Sequence, residues 1–77
     1  MKKIQILGSG CKKCALLAAT AENAAKTLGL AYTIEKVTDL NSIASFGVMF
    51  TPALVVDGTV KSAGKVPSLD DMKKLVA

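Results

Sequence analysis

Cys11 and Cys14 are the only cysteines in the 77-residue chain, and two lysines, Lys12 and Lys13, separate them. Two thiols three residues apart on the first turn of a helix lie close enough to close a disulfide. The exposed amide groups at that turn favour a thiolate. The thiolate is the attacking species in thiol–disulfide exchange, so one such pair can supply both the attacking and the resolving group. A bridge over so short a loop removes little chain entropy, which makes it a poor structural staple. The helix terminus, the neighbouring ammonium groups and solvent access all favour Cys11 as nucleophile and leave Cys14 as the resolving cysteine. Lys12 and Lys13 have two readings, electrostatic tuning of that thiol or plain solubility of an exposed turn.

The surrounding pattern must place this pair. Residues 2–7 read as a short buried strand, and Gly8, Ser9 and Gly10 allow a sharp turn into a helix. Cys14, Leu17, Ala18, Ala21, Ala24, Ala25 and Leu28 recur at spacings of three and four, predicting a helix over about 12–28 that Gly29 stops. In that phase Cys14 joins the inward stripe, whereas Cys11 sits at the exposed N-terminal edge. Ala31–Val37 reads as a second strand, Asp39 as the cap of a short helix to about Ser45, and Gly47 as its end. Ala53–Val56 is a strongly apolar strand, Asp57 and Gly58 form a hairpin turn, and Thr59–Ala63 returns, ended by Gly64. Pro67 and Ser68 introduce a last helix with Asp70 and Asp71 in its first turn and Lys73 and Lys74 toward its end. The order βαβαββα over 1–77 predicts a single α/β domain, a mixed four-stranded sheet flanked by helices on both faces. The long helix then starts at the carboxyl edge of a strand, where such sheets place their sites.

Thr51 and Pro52 form a second constellation. A proline opening a buried strand removes a ladder donor, and the residues alone leave open whether the bond before it is cis or an ordinary trans turn. A bend there would offer the Thr51 backbone to an extended peptide beside Cys11. Met49 and Phe50 could line a docking surface with Gly64, although burial is the commoner fate of such residues; Tyr32 and Phe46 read as core. Glu35, Asp39 and Asp57 lack the spacing of paired catalytic carboxylates, and the chain has no histidine to act as a general base. Gly8 and Gly10 begin a dinucleotide-loop pattern that Lys13 breaks where a third glycine belongs.

Composition narrows the rest. Half of the residues are apolar, and aromatic residues make up only 4%, which implies a compact aliphatic core. The net charge of +4 comes from scattered lysines with no arginine and no interleaved aromatic platform, which argues against nucleic-acid binding. The apolar run after Lys2 and Lys3 is too short for a secretory segment or a membrane span. A CxxC pair in a reducing compartment signals redox or metal chemistry, and the expectation is a cytoplasmic protein with no membrane partner.

On these residues the chain resembles the thioredoxin superfamily, most closely its small thioredoxin-like and glutaredoxin-like redox-active disulfide proteins of archaea and bacteria. The resemblance covers nearly all of the chain. It rests on Cys11-Lys12-Lys13-Cys14 after a first strand, Thr51-Pro52 before a hairpin, and Gly64 before a terminal helix. It implies Cys11 as the attacking cysteine, Cys14 as the resolving one, Pro52 as a cis-proline and Thr51 as a peptide contact. It also implies a monomeric protein-disulfide oxidoreductase without a cofactor or metal of its own. Its partners would be disulfide-containing proteins and a thioredoxin-reductase-like or glutathione-linked electron donor. Gly10 stands where thioredoxins commonly carry tryptophan, and Gln5 where they carry a buried acid. Two other classes compete. One is a soft-metal carrier that would hold copper or zinc on the CxxC thiolates, although such carriers resemble a βαββαβ order ending in a strand. The other is a redox-inert interaction module.

Overall fold

The computed structural model describes residues 2–8 and 12–77. Seven elements follow in the expected order: β1 (Lys2–Leu7), α1 (Lys12–Thr27), β2 (Tyr32–Val37), α2 (Leu40–Ser45), β3 (Ala53–Val56), β4 (Thr59–Ala63) and α3 (Leu69–Val76). The sheet runs β2-β1-β3-β4, with β1 parallel to β2 and antiparallel to β3, and β3 antiparallel to β4. β1 is therefore central.

Strand alternation splits the apolar side chains of β1 and β3 between two faces. Ile4, Ile6, Leu54 and Val56 pack with Leu17, Ala18, Ala21, Ala24 and Ala25 of α1 and with Met72 and Val76 of α3. Leu7, Val37, Ala53 and Val55 pack with Ile43 of α2, with Phe46 and Val48 at the margin. Helices thus cover both faces of the sheet. Four alanines on the buried stripe of α1 keep that side slim and bring the helix close to β1.

The caps explain where the helices begin and end. The Asp39 carboxylate accepts from the backbone N–H of Ser42 at 3.0 Å, and Ser68 Oγ accepts from that of Asp71 at 3.3 Å. Gly29 and Leu30 donate back to Lys26 and Ala25, which closes α1 at Thr27. This termination corrects the expectation for Leu28, which falls past the last helical residue and is 40% exposed rather than part of the buried stripe. Tyr32 and Phe46 are half-buried at the rims of the two apolar clusters rather than inside them.

Asp57 and Gly58 both have positive φ, 51° and 83°, the geometry that a two-residue hairpin loop requires. Asp57 also ties this turn to β1. Its backbone N–H donates to Lys3 O, its Oδ1 accepts from the Lys3 N–H at 2.9 Å, and its Oδ2 lies 3.6 Å from Lys2 Nζ. The Lys3 hydrogen bond, aided by the Lys2 charge, holds the carboxyl below its ordinary value of 3.8. Further along, Leu54 faces Ser62 while Val55 faces Val60, so Lys61 is bulged out of the ladder. Ser62 is buried, and its hydroxyl has no hydrogen-bond partner among the described residues.

Two outcomes follow. Removing the unsatisfied hydroxyl, as in Ser62→Ala, should raise the unfolding free energy by about 1 kcal/mol in urea titrations with an unchanged slope. Because its pKa is depressed on folding, Asp57 contributes stability above the unfolded value that is lost as pH falls through the folded one. Asp57→Asn should therefore flatten the acid limb of a stability-versus-pH curve below about pH 4.

Candidate functional site

The site forms where β1 ends. Gly8 extends the parallel pairing by one step, its N–H donating to Val37 O at 3.0 Å. From this point the chain enters the segment that leads to α1, whose first turn carries Lys12, Lys13 and Cys14. Lys12 and Lys13 are exposed, while Cys14 faces inward and is 5% exposed, as the helical phase requires. Cys11 lies outside the described residues, as do Ser9 and Gly10, so the expected exposure of Cys11 has no structural counterpart here.

Gly8 is the packing point that the sequence reading passed over. A Cβ at Gly8 would overlap Cys14 Sγ, and it would lie 3.5 Å from Cys14 Cβ and 3.8 Å from Thr51 Cβ. The thiol therefore occupies space that any other residue at position 8 would fill. The end of β1 and the first turn of α1 meet there with the loop before β3, which is some forty residues further along the chain. The pattern offered one signal for it, a glycine directly after the last apolar residue of a strand that leads into a helix.

The Thr51–Pro52 peptide bond is cis. Pro52 is fully buried and Thr51 exposed, so the loop is anchored by the ring and presents the residue before it. Gly64, at the end of β4, donates its N–H to Pro52 O at 2.9 Å. With φ of +78° it adopts a backbone conformation that L side chains rarely take. A Cβ there would come within 3.0 Å of Phe50 Cβ. Gly64 is thus both a hydrogen-bond anchor of the proline loop and the surface on which Phe50 rests. Met49 and Phe50 are 88% and 67% exposed, which overturns the commoner expectation of burial. The run 48–51 belongs to no strand, and neither residue is among the buried members of the two apolar clusters.

A small cavity of about 60 Å³ opens beside Cys14, lined by Ile6, Gly8, Ala15, Lys36 and Thr38 as well. It is roomy enough for water, and its polar lining comes from Lys36 and Thr38. Lys36 enters because its register partner is Ile6, one turn of the pleat from Gly8; β2 had offered no sign of this from its sequence. Among the described residues no carboxylate lines the cavity. Among the described residues no group of three or more His, Cys, Asp or Glu side chains is placed to hold a metal ion. No helix among them is long and apolar enough to cross a membrane.

Gly8→Ala should drive the Cys14 thiol from its seat. The expected result is a loss of about 1–3 kcal/mol of stability and faster alkylation of Cys14 by iodoacetamide, measured in a Cys11→Ser background. An unchanged midpoint with an unchanged alkylation rate would contradict the close approach.

Comparison with known proteins agrees with this geometry. The sequence model of the thioredoxin domain family matches residues 2–77. The chain is 39% identical to a thioredoxin of Methanothermobacter thermautotrophicus over 77 residues that span both proteins completely. It is 38% identical over 74 residues to a thioredoxin of Methanocaldococcus jannaschii, an alignment that covers 96% of this chain and 85% of that protein. Fold and sequence similarity agree: the chain belongs to the thioredoxin family of thiol–disulfide oxidoreductases, on the scale of its small archaeal members.

Proposed function

We propose that this chain reduces protein disulfides, with Cys11 as nucleophile and Cys14 as resolving cysteine. The observation that carries the reading is the convergence of the Cys14 thiol, Gly8 and Thr51 at the end of the central strand. A resolving thiol is useful only beside the place where a substrate chain lies, and Thr51 offers exposed backbone at that place.

In the first step the Cys11 thiolate attacks one sulfur of the substrate disulfide. The substrate S–S bond breaks, a Cys11–substrate disulfide forms, and the leaving thiolate takes a proton from water. Cys14 then loses its proton, through water at the small cavity, and attacks the Cys11 sulfur. The mixed disulfide breaks, the second substrate thiolate leaves and is protonated, and a Cys11–Cys14 disulfide remains. The substrate has gained two electrons and two protons. A two-electron donor, a flavin-dependent thioredoxin reductase or a glutathione-linked system, restores the dithiol.

Thr51, Pro52, Gly64 and Met49 form the substrate-contacting side of this reading, and Lys12 and Lys13 supply positive charge at the attacking thiol. A reducing compartment, the cytoplasm, and a monomeric state suit a dithiol kept ready for exchange. Element order favours this activity over a soft-metal carrier of copper or zinc. The chain runs βαβαββα, with a helix after the second strand, whereas carriers of that kind resemble βαββαβ and place a third strand there.

Insulin reduction with dithiothreitol as terminal donor tests the proposal. The wild type should accelerate it, Cys11→Ser should fall to the uncatalysed rate, and Cys14→Ser should accumulate a mixed disulfide visible by mass spectrometry. Trapping by Cys11→Ser instead would reverse the two roles. Tight copper or zinc binding with no thiol exchange would replace the oxidoreductase by a carrier.

A further inference from the structure

We propose that Phe50 selects the substrate: it receives an apolar side chain next to the target cysteine, from an extended segment whose flanks are acidic. This rests on the disulfide-reductase reading and names the substrate class for the same site.

Leaving a phenylalanine in water forgoes the free energy of burying a large apolar ring. The chain has only three aromatic residues, and the other two, Tyr32 and Phe46, are half-buried against the apolar clusters. Phe50 is 67% exposed, with Met49 beside it at 88%. Its exposure does not come from a loose attachment. A Cβ at Gly64 would come within 3.0 Å of Phe50 Cβ, so the base of the side chain lies close against that glycine, and Gly64 is itself bonded to Pro52 O. A ring whose base is fixed while its outer surface stays wet loses little conformational entropy when a partner covers it.

The placement then says what covers it. Phe50 directly precedes Thr51, whose Cβ lies 3.8 Å from where a Cβ at Gly8 would sit against Cys14 Sγ, so a segment lying on Phe50 and Thr51 runs toward the Cys14 thiol. Among the described residues, no hydrogen bond uses the backbone N–H or C=O of Phe50 or Thr51, which leaves both open to an extended peptide. A segment docked there would bring a residue adjacent to its cysteine over the aromatic ring.

Charge sets the flanks. From Leu40 to Val56 the chain has no charged residue at all. Around this uncharged zone stand exposed lysines: Lys12 and Lys13 on the turn that carries Cys14, and Lys65 directly after Gly64. The two carboxylates that border this run in sequence are engaged elsewhere: Asp39 caps α2 through Ser42, and Asp57 accepts from the Lys3 N–H and pairs with Lys2. An apolar centre with a positive rim complements an apolar residue bracketed by Asp or Glu, and it disfavours a lysine-flanked segment.

Single-turnover reduction of matched disulfide-linked peptides tests this. The four peptides carry Leu or Ser beside the cysteine and Asp or Lys at the flanks, and hydroxyethyl disulfide serves as a small reference substrate. The wild type should reduce the Leu peptides about tenfold faster than the Ser peptides. Phe50→Ser should bring that ratio close to one, and Phe50→Leu should restore most of it; circular dichroism confirms that both variants are folded. The Asp-over-Lys preference should shrink toward one in about 0.5 M salt, whereas the Leu-over-Ser preference should persist. A wild type that reduces hydroxyethyl disulfide without discriminating among the peptides, or a Leu preference retained in Phe50→Ser, would overturn the selectivity and leave the reductase reading standing. Failure to reduce any of these disulfides would overturn both.

Discussion

A missing side chain governs this molecule. The Cys14 thiol fits against the end of β1 only because position 8 has no Cβ, and that approach brings the first turn of α1 down onto the strand. The alanine face of α1 continues the same close approach along Ile4 and Ile6. Packing in such an interior transmits displacement rather than absorbing it, so the seat of one sulfur is coupled to the whole helix–sheet interface. Thr51 reaches the same point from the other side, which links the loop before β3 to that seat.

The elements were legible because their chemistry is local. Asp39 and Ser68 announce helices as caps, Asp57 with Gly58 announces a hairpin, and the spacing from Cys14 to Ala25 announces a buried helical stripe. The dithiol hypothesis was equally local, resting on two cysteines and their spacing. Leu28 was misplaced because periodicity does not mark where a helix stops, and the backbone bonds of Gly29 and Leu30 stop it one residue earlier.

What sequence could not supply was everything that depends on register. Gly8 reads as a turn residue; only the packing of α1 against the end of β1 sets it against Cys14, and only the pairing of β1 with β2 brings Lys36 to the cavity beside it. Met49 and Phe50 have the composition of core residues. Their exposure goes with lying in a segment that neither strand nor helix claims, and the base of Phe50 lies close to Gly64, fourteen positions further on. The exposed patch and the proline loop therefore form one surface through tertiary contact, with no motif that joins them.

The bulge at Lys61 has a consequence for how this small protein keeps its company. A strand at the border of a sheet is a template for any other extended chain, and β4 occupies such a border. One residue displaced from the ladder spoils the even spacing of its outward amide and carbonyl groups, and an ammonium group stands at the same spot. Nonspecific strand-to-strand assembly is thereby discouraged along that flank.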